Sequence, residues 1–235
     1  YLQEALTVGV GYFYRPGIYF HSGISLGYNE TLFRNTDFHR EYLGIDPGQI
    51  LNWFSIQLSA SLEHRDKVAY PLDGYHLKMK FLQTGLGIIA DFPNRRSQLS
   101  LSGSVQKSLS KRWYLQNASK IRLAANQDLP YYFREGIGYA TYMRGFEYYL
   151  IDGNSYFLSM NNLKFNLIPQ SEYEFNWIPW EQFSKIHYAL FTKLFFDVSY
   201  VQSPYYEGIT DDLSNKLLFS TGLGLTCDER PRGIN

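Results

Sequence analysis

Tyr142-Met143-Arg144-Gly145-Phe146-Glu147-Tyr148-Tyr149-Leu150-Ile151-Asp152-Gly153 sets an arginine, a glycine and an aromatic ahead of an Asp-Gly turn. The turn leads directly into Tyr156 to Leu167, where side chains alternate in character. Successive residues of a strand point to opposite faces of a sheet, so Asn162 and Lys164 share the face opposite Leu163 and Phe165. A long loop closed by a turn and followed by a one-sided strand is the unit from which the rest of the chain can be read.

The same alternation recurs in both directions. Leu6, Val8, Val10, Tyr12 and Tyr14 oppose Thr7, Gly9, Gly11 and Phe13. After Arg15-Pro16-Gly17, Ile18, Phe20, Ile24, Leu26 and Tyr28 oppose His21, Gly23, Ser25, Gly27 and Asn29. Phe54, Ile56, Leu58, Ala60 and Leu62 oppose Ser55, Gln57, Ser59, Ser61 and Glu63; Leu99, Leu101 and Val105 oppose Gln98, Ser100, Ser102, Ser104 and Gln106. Further strands are expected over 73–88, 112–124, 154–168, 188–200 and 215–226, making about nine. Several exceed the five or six residues usual in soluble sheets and approach the roughly 9 to 11 that a tilted strand needs to cross a bilayer.

Composition is consistent with such strands. Aromatics make up 18% of the 235 residues, with 22 basic and 22 acidic side chains, and mean hydropathy is -0.30. No apolar run of about 18 residues is present, which excludes helical spans. Aromatic wealth at middling hydropathy suits strands apolar on one face only, in a membrane barrel or in an aromatic-rich soluble β-protein. The polar face is small (Gly, Ser, Gln, Asn), which fits a wet lumen better than a packed sandwich core. Zero net charge offers no basic face to nucleic acid. One cysteine, Cys227, excludes an internal disulfide. The opening Tyr1-Leu2-Gln3-Glu4 has none of the features of a secretory signal, as in a mature or truncated chain.

Connections alternate in length. Pro16-Gly17 and 108–111 are short, whereas 30–49 and 125–153 are long, as where tight periplasmic turns alternate with longer outer loops. The stretch 169–185, with Trp177-Ile178-Pro179-Trp180, is long where parity expects a short turn. It is either an interfacial aromatic segment or a sign that the strand count is off by one.

Arg144-Gly145-Phe146, the strand Ser159-Met160-Asn161-Asn162-Leu163-Lys164-Phe165-Asn166-Leu167 and the strand Phe195-Phe196-Asp197-Val198-Ser199 together resemble the BamA-type outer-membrane assembly barrels, also called bacterial surface antigens. The turn Glu63-His64-Arg65-Asp66 followed by Pro71-Leu72-Asp73-Gly74-Tyr75 is similar to that family's acidic turn and Pro-x-x-Gly. The resemblance implies an all-β, antiparallel transmembrane barrel in the bacterial outer membrane. About nine of roughly sixteen strands would lie in residues 1–226, with a lumenal loop over 125–153, and 227–235 would be a charged tail. Such a partial sheet would not close alone, because an open edge in lipid leaves backbone groups unpaired.

The resemblance further implies that Arg144 reaches into the lumen, with Gly145 and Phe146 at the loop tip and Asp152-Gly153 closing the loop. Asp197 would be its acidic partner, with Asn162 and Lys164 on the neighbouring strand. Asn162, Lys164 and Ser199 stand where the family carries Glu, Arg and Gly. Without charge at Asn162, the lock rests more heavily on Asp197. The implied function is insertion or translocation of other proteins, without cofactor, metal or catalytic residue. Implied partners are the bilayer, unfolded outer-membrane or secreted polypeptides, and accessory periplasmic or lipoprotein subunits. A dedicated secretion pore of the same family and a passive porin are the alternatives. Gly23-Ile24-Ser25-Leu26-Gly27 matches G-x-S-x-G, yet it lies inside an alternating strand and lacks the strand-to-helix turn the nucleophile needs. The five histidines show no zinc-ligand spacing.

Overall fold

Alternation over long stretches becomes nine antiparallel strands in a single sheet whose order is the order of the chain. The computed structural model describes residues 3–33, 50–68, 70–87, 95–125, 134–174, 185–204 and 213–228. The strands are β1 (Gln3–Tyr14), β2 (Phe20–Phe33), β3 (Ile50–Glu63), β4 (Gly74–Thr84), β5 (Arg96–Ser108), β6 (Trp113–Ala124), β7 (Ser155–Glu174), β8 (Lys185–Gln202) and β9 (Leu217–Asp228). The sheet is open, with β1 paired only to β2 and β9 only to β8 among the described residues.

Nine strands match the number expected, but their ends differ. Pairing of β7 with β8 continues to Glu174 and Lys185, past Pro169, through irregularities between Asn166 and Ser171. A bulge absorbs the residue that cannot donate and lets the ladder resume. The long connection 169–185 therefore contracts to 175–184, and the count was not off by one. Trp177 to Trp180 lie outside the described residues. β9 likewise runs to Asp228, two residues beyond the boundary expected at Thr226; residues 229–235 of the expected tail lie outside the described set.

Register assigns each side chain to a face. Val8 pairs with Tyr28 and Val10 with Leu26; Leu26 pairs with Ile56, Leu58 with Phe81, and Phe81 with Leu99. Leu99 continues to Leu123, Ile121 to Phe157, Leu163 to Leu194 and Leu194 to Leu223. This face holds exposed apolar side chains from edge to edge: Val10 at 71% and Leu223 at 79%. A surface of that extent needs an apolar solvent, as the bilayer is for a barrel.

The other face is interior. In a flat sheet β4 and β8 would lie about 19 Å apart, four strand spacings. Yet Tyr70, in the turn before β4, has its ring 5.3 Å from that of Phe191 on β8. The turn folds inward and the sheet curls towards the polar face. Asp66 shapes that turn, its carboxylate accepting from the amides of Lys67, Leu72 and Asp73. Beside it Glu63 forms a two-point pair with Arg65, which holds the guanidinium of Arg65 above its ordinary pKa. Connections 34–49, 85–95, 125–154 and 203–216 leave one end of the sheet, and the shorter 15–19, 64–73, 109–112 and 175–184 leave the other.

Candidate functional site, a loop latched to the inner wall

The loop between β6 and β7 turns back over the inner face. Ile137 and Ile151 exchange backbone hydrogen bonds of 3.0 and 2.8 Å, closing it into a hairpin-like base. The base is built close. Gly138 sits at φ +104°, where a Cβ would come within 2.1 Å of the Tyr149 carbonyl, and a Cβ on Gly153 would strike Val201 Cγ1 at 2.4 Å. Asp152 is buried; its carboxylate accepts from the Tyr139 hydroxyl, and its backbone carbonyl accepts from Ser214 Oγ at 2.9 Å. These bonds account for the Asp-Gly pair: Asp152 ties the loop to itself and to the β8–β9 connection, and Gly153 lets it pass close to β8.

Met143, fully buried, packs with Ile137, Ile151, Tyr156, Leu158, Val201 and Leu218, and Phe146 and Met160 lie against this cluster. Full burial of such a side chain stabilises by about 1.5–3 kcal/mol. Ser199 Oγ donates to Met143 Sδ at 3.0 Å, which gives the buried serine a partner in the loop. The Phe146 ring lies tilted against that of Tyr149 with centroids 5.9 Å apart, and Gly145 turns the tip at φ +82°.

Arg144 completes the contact. Its Nε donates to Asp197 Oδ2 at 2.7 Å, and Nη2 donates to Oδ1 of the same carboxylate. Nη1 donates to Asn162 Oδ1 at 2.6 Å. The guanidinium also lies 4.1 Å over the Phe195 ring. Asp197 is fully buried, whereas the arginine side chain keeps 25% exposure. A planar fork matched to both carboxylate oxygens is a geometry lysine cannot reproduce. Sequence separation between loop and partner is 53 residues, bridged because Met160 pairs with Asp197 and Asn162 with Phe195 on the same face.

Lys164 lies beside this latch. It is buried on the same face, with its ammonium 4.0 Å over the ring of Tyr70, while Arg144 bonds to Asp197 and Asn162. Two residues along a strand is about 7 Å, enough to hand Lys164 to the inward-folded β3–β4 turn. Two further holders of the loop carry no motif: Lys120 Nζ donates to Thr141 Oγ1 at 3.3 Å, and Arg122 donates to the Glu135 carbonyl. Their signal was two cations on the polar face of a strand, where lipid does not have to receive them.

One apolar face bare from edge to edge, a polar face curled inward and a loop latched across it define the wall of a transmembrane β-barrel. Among solved structures the chain is similar to BamA from Haemophilus ducreyi lacking POTRA domains 1–3, with a TM-score of 0.66 and 13% sequence identity over 95% of this chain and 48% of that one. At this identity the likeness is one of fold, and the chain spans about half the length of the structure it matches. No family model matches the chain, and no curated protein matches it by sequence.

Proposed function

We propose that this chain is part of a BamA-like barrel of the bacterial outer membrane that inserts or translocates other polypeptides. The observation that carries the reading is the Arg144 fork on buried Asp197, which fastens a loop to the inner face of the wall. A loop held this way leaves the lumen lined and shaped while the work is done by strand pairing: an unpaired edge accepts an incoming strand by β-augmentation. No covalent step and no cofactor is required. The partners on this reading are the bilayer, unfolded outer-membrane or secreted polypeptides, and accessory periplasmic or lipoprotein subunits.

The test uses the full-length protein in phospholipid vesicles with an unfolded barrel protein as substrate, and heat-modifiable mobility of that substrate as readout. Acceleration of substrate folding, lost in Arg144→Ala, is the expected result. A barrel that leaves substrate folding unaccelerated but conducts ions steadily is a porin, and one that releases a single dedicated polypeptide is a secretion pore. An Arg144→Ala barrel with unchanged folding and unchanged substrate insertion removes the latch from the mechanism.

A further inference from the structure

Beside the latched loop, the inner face of β4–β6 holds a recess of about 340 Å³ lined by Lys78, Lys80, Lys120 and Arg122 with Ser100 and Ser102. Register arranges these residues in rows. Lys78 pairs with Ser102 and Lys80 with Ser100; Ser102 pairs with Lys120 and Ser100 with Arg122. Two parallel rows of cation, hydroxyl, cation therefore cross three strands. Strand spacing puts the cations of one row about 10 Å apart, and the rows themselves lie about 7 Å apart along the strands. Lys120 and Arg122 contact the loop through Thr141 and Glu135, and Arg122 lies 4.9 Å from the Tyr156 ring centre. Among the described residues, none of the four cations forms an ion pair with a carboxylate. Four like charges gathered at one recess repel one another, and an anionic occupant relieves that repulsion.

We infer that this recess is a docking site for an acidic segment of extended polypeptide. The row spacing selects the occupant. Carboxylates two residues apart in an extended chain recur on one side at about 7 Å, the repeat of the rows, while the serine hydroxyls between the cations can donate to the same oxygens. A peptide laid along β5 with alternate Asp or Glu would meet one row with each acid. That the occupant is polypeptide rests on the proposed passage of polypeptide through this lumen; the cation grid itself does not.

The test is binding of a fluorescent peptide with glutamate at alternate positions to the full-length protein in nanodiscs at low salt, read by anisotropy. Lys78→Gln with Lys80→Gln, which leaves the cations that hold the loop in place, is expected to weaken binding about fivefold to tenfold, with binding falling as salt rises. A peptide of the same composition with its glutamates in one block is expected to bind more weakly than the alternating one. Unchanged affinity in the double variant, or equal affinity for the two peptides, overturns the inference. Displacement of the alternating peptide by equimolar inorganic phosphate overturns it in favour of a phosphate ligand. Binding without any substrate folding activity defeats the proposed function alone, and folding activity without binding defeats this inference alone.

Discussion

Lys164 holds its ammonium 4.0 Å above the Tyr70 ring, a cation–π contact between strand β7 and the turn that precedes β4. Through it, and through Phe191 beside the same ring, the curl of the sheet is fastened from inside by a turn that enters from the end opposite the latched loop. The wall thus has two internal ties that come from opposite ends and meet β7 two residues apart, at Asn162 and Lys164.

Tyr70→Ala removes the inner tie of the turn end. The lost ring leaves a void against Phe191 and takes the π-face from Lys164, at a cost of about 3 kcal/mol. Tyr70→Phe keeps both contacts and is expected to fall within about 1 kcal/mol of the parent. Urea unfolding of the barrel in phospholipid vesicles distinguishes them; equal destabilisation by both substitutions would assign the role to the hydroxyl and not to the ring.

Arg144→Lys and Asp197→Asn each leave one member of the latch facing a buried site without its match. Breaking a buried pair costs about 3–5 kcal/mol, and the part-exposed arginine puts this one at the lower end. Lysine should rescue little, since it cannot bond both carboxylate oxygens. In a double-mutant cycle, coupling of Arg144 to Asp197 should exceed its coupling to Asn162, which offers one uncharged acceptor. Equal couplings would mean that charge adds nothing to the latch.

How far the sequence anticipated these ties depends on range. Strand faces were legible because alternation is local: Val8, Val10 and Tyr12 identify their side without knowledge of a partner. The Arg144 contact with Asp197 was anticipated through motif resemblance, since nothing in the spacing of the two residues implies contact. Strand ends were less legible. Pro169 reads as a stop, yet β7 continues to Glu174 because an irregular register accommodates it. The partner of Lys164 was invisible, because a residue on a polar face can meet any inward-folded turn, and only the curl of the sheet brings Tyr70 there.

Gly138→Ala tests the loop base. At φ +104°, with a Cβ 2.1 Å from the Tyr149 carbonyl, alanine must displace the backbone, a strain of about 1–3 kcal/mol. The expected result is faster hydrogen exchange at the Ile137 and Ile151 amides, by about tenfold or more, with exchange in β2 and β3 unchanged. An exchange rate equal to the parent at those two amides would show that the loop base tolerates the displacement.

Asn117 gives the least obvious prediction, because it lies on the lipid-facing side. Register pairs Asn117 with Asn161 and Ser119 with Ser159, in a row whose neighbours Leu115 and Leu123 are exposed apolar residues. The four polar side chains satisfy one another: Asn117 Nδ2 donates to Asn161 Oδ1 at 2.7 Å and to Ser159 Oγ at 3.0 Å, and Ser119 Oγ donates to Asn117 Oδ1 at 3.0 Å. Asn161 Nδ2 closes the set on the Phe196 carbonyl at 3.0 Å. In hydrocarbon there is no water to replace a lost donor, so Asn117→Ala should destabilise the barrel by about 2 kcal/mol. Replacing all four residues together by apolar ones should be close to neutral, since no orphaned donor or acceptor remains among them. Urea titration in vesicles compares the two. If Asn117→Ala costs nothing while the fourfold replacement is damaging, the row faces a polar partner and not lipid.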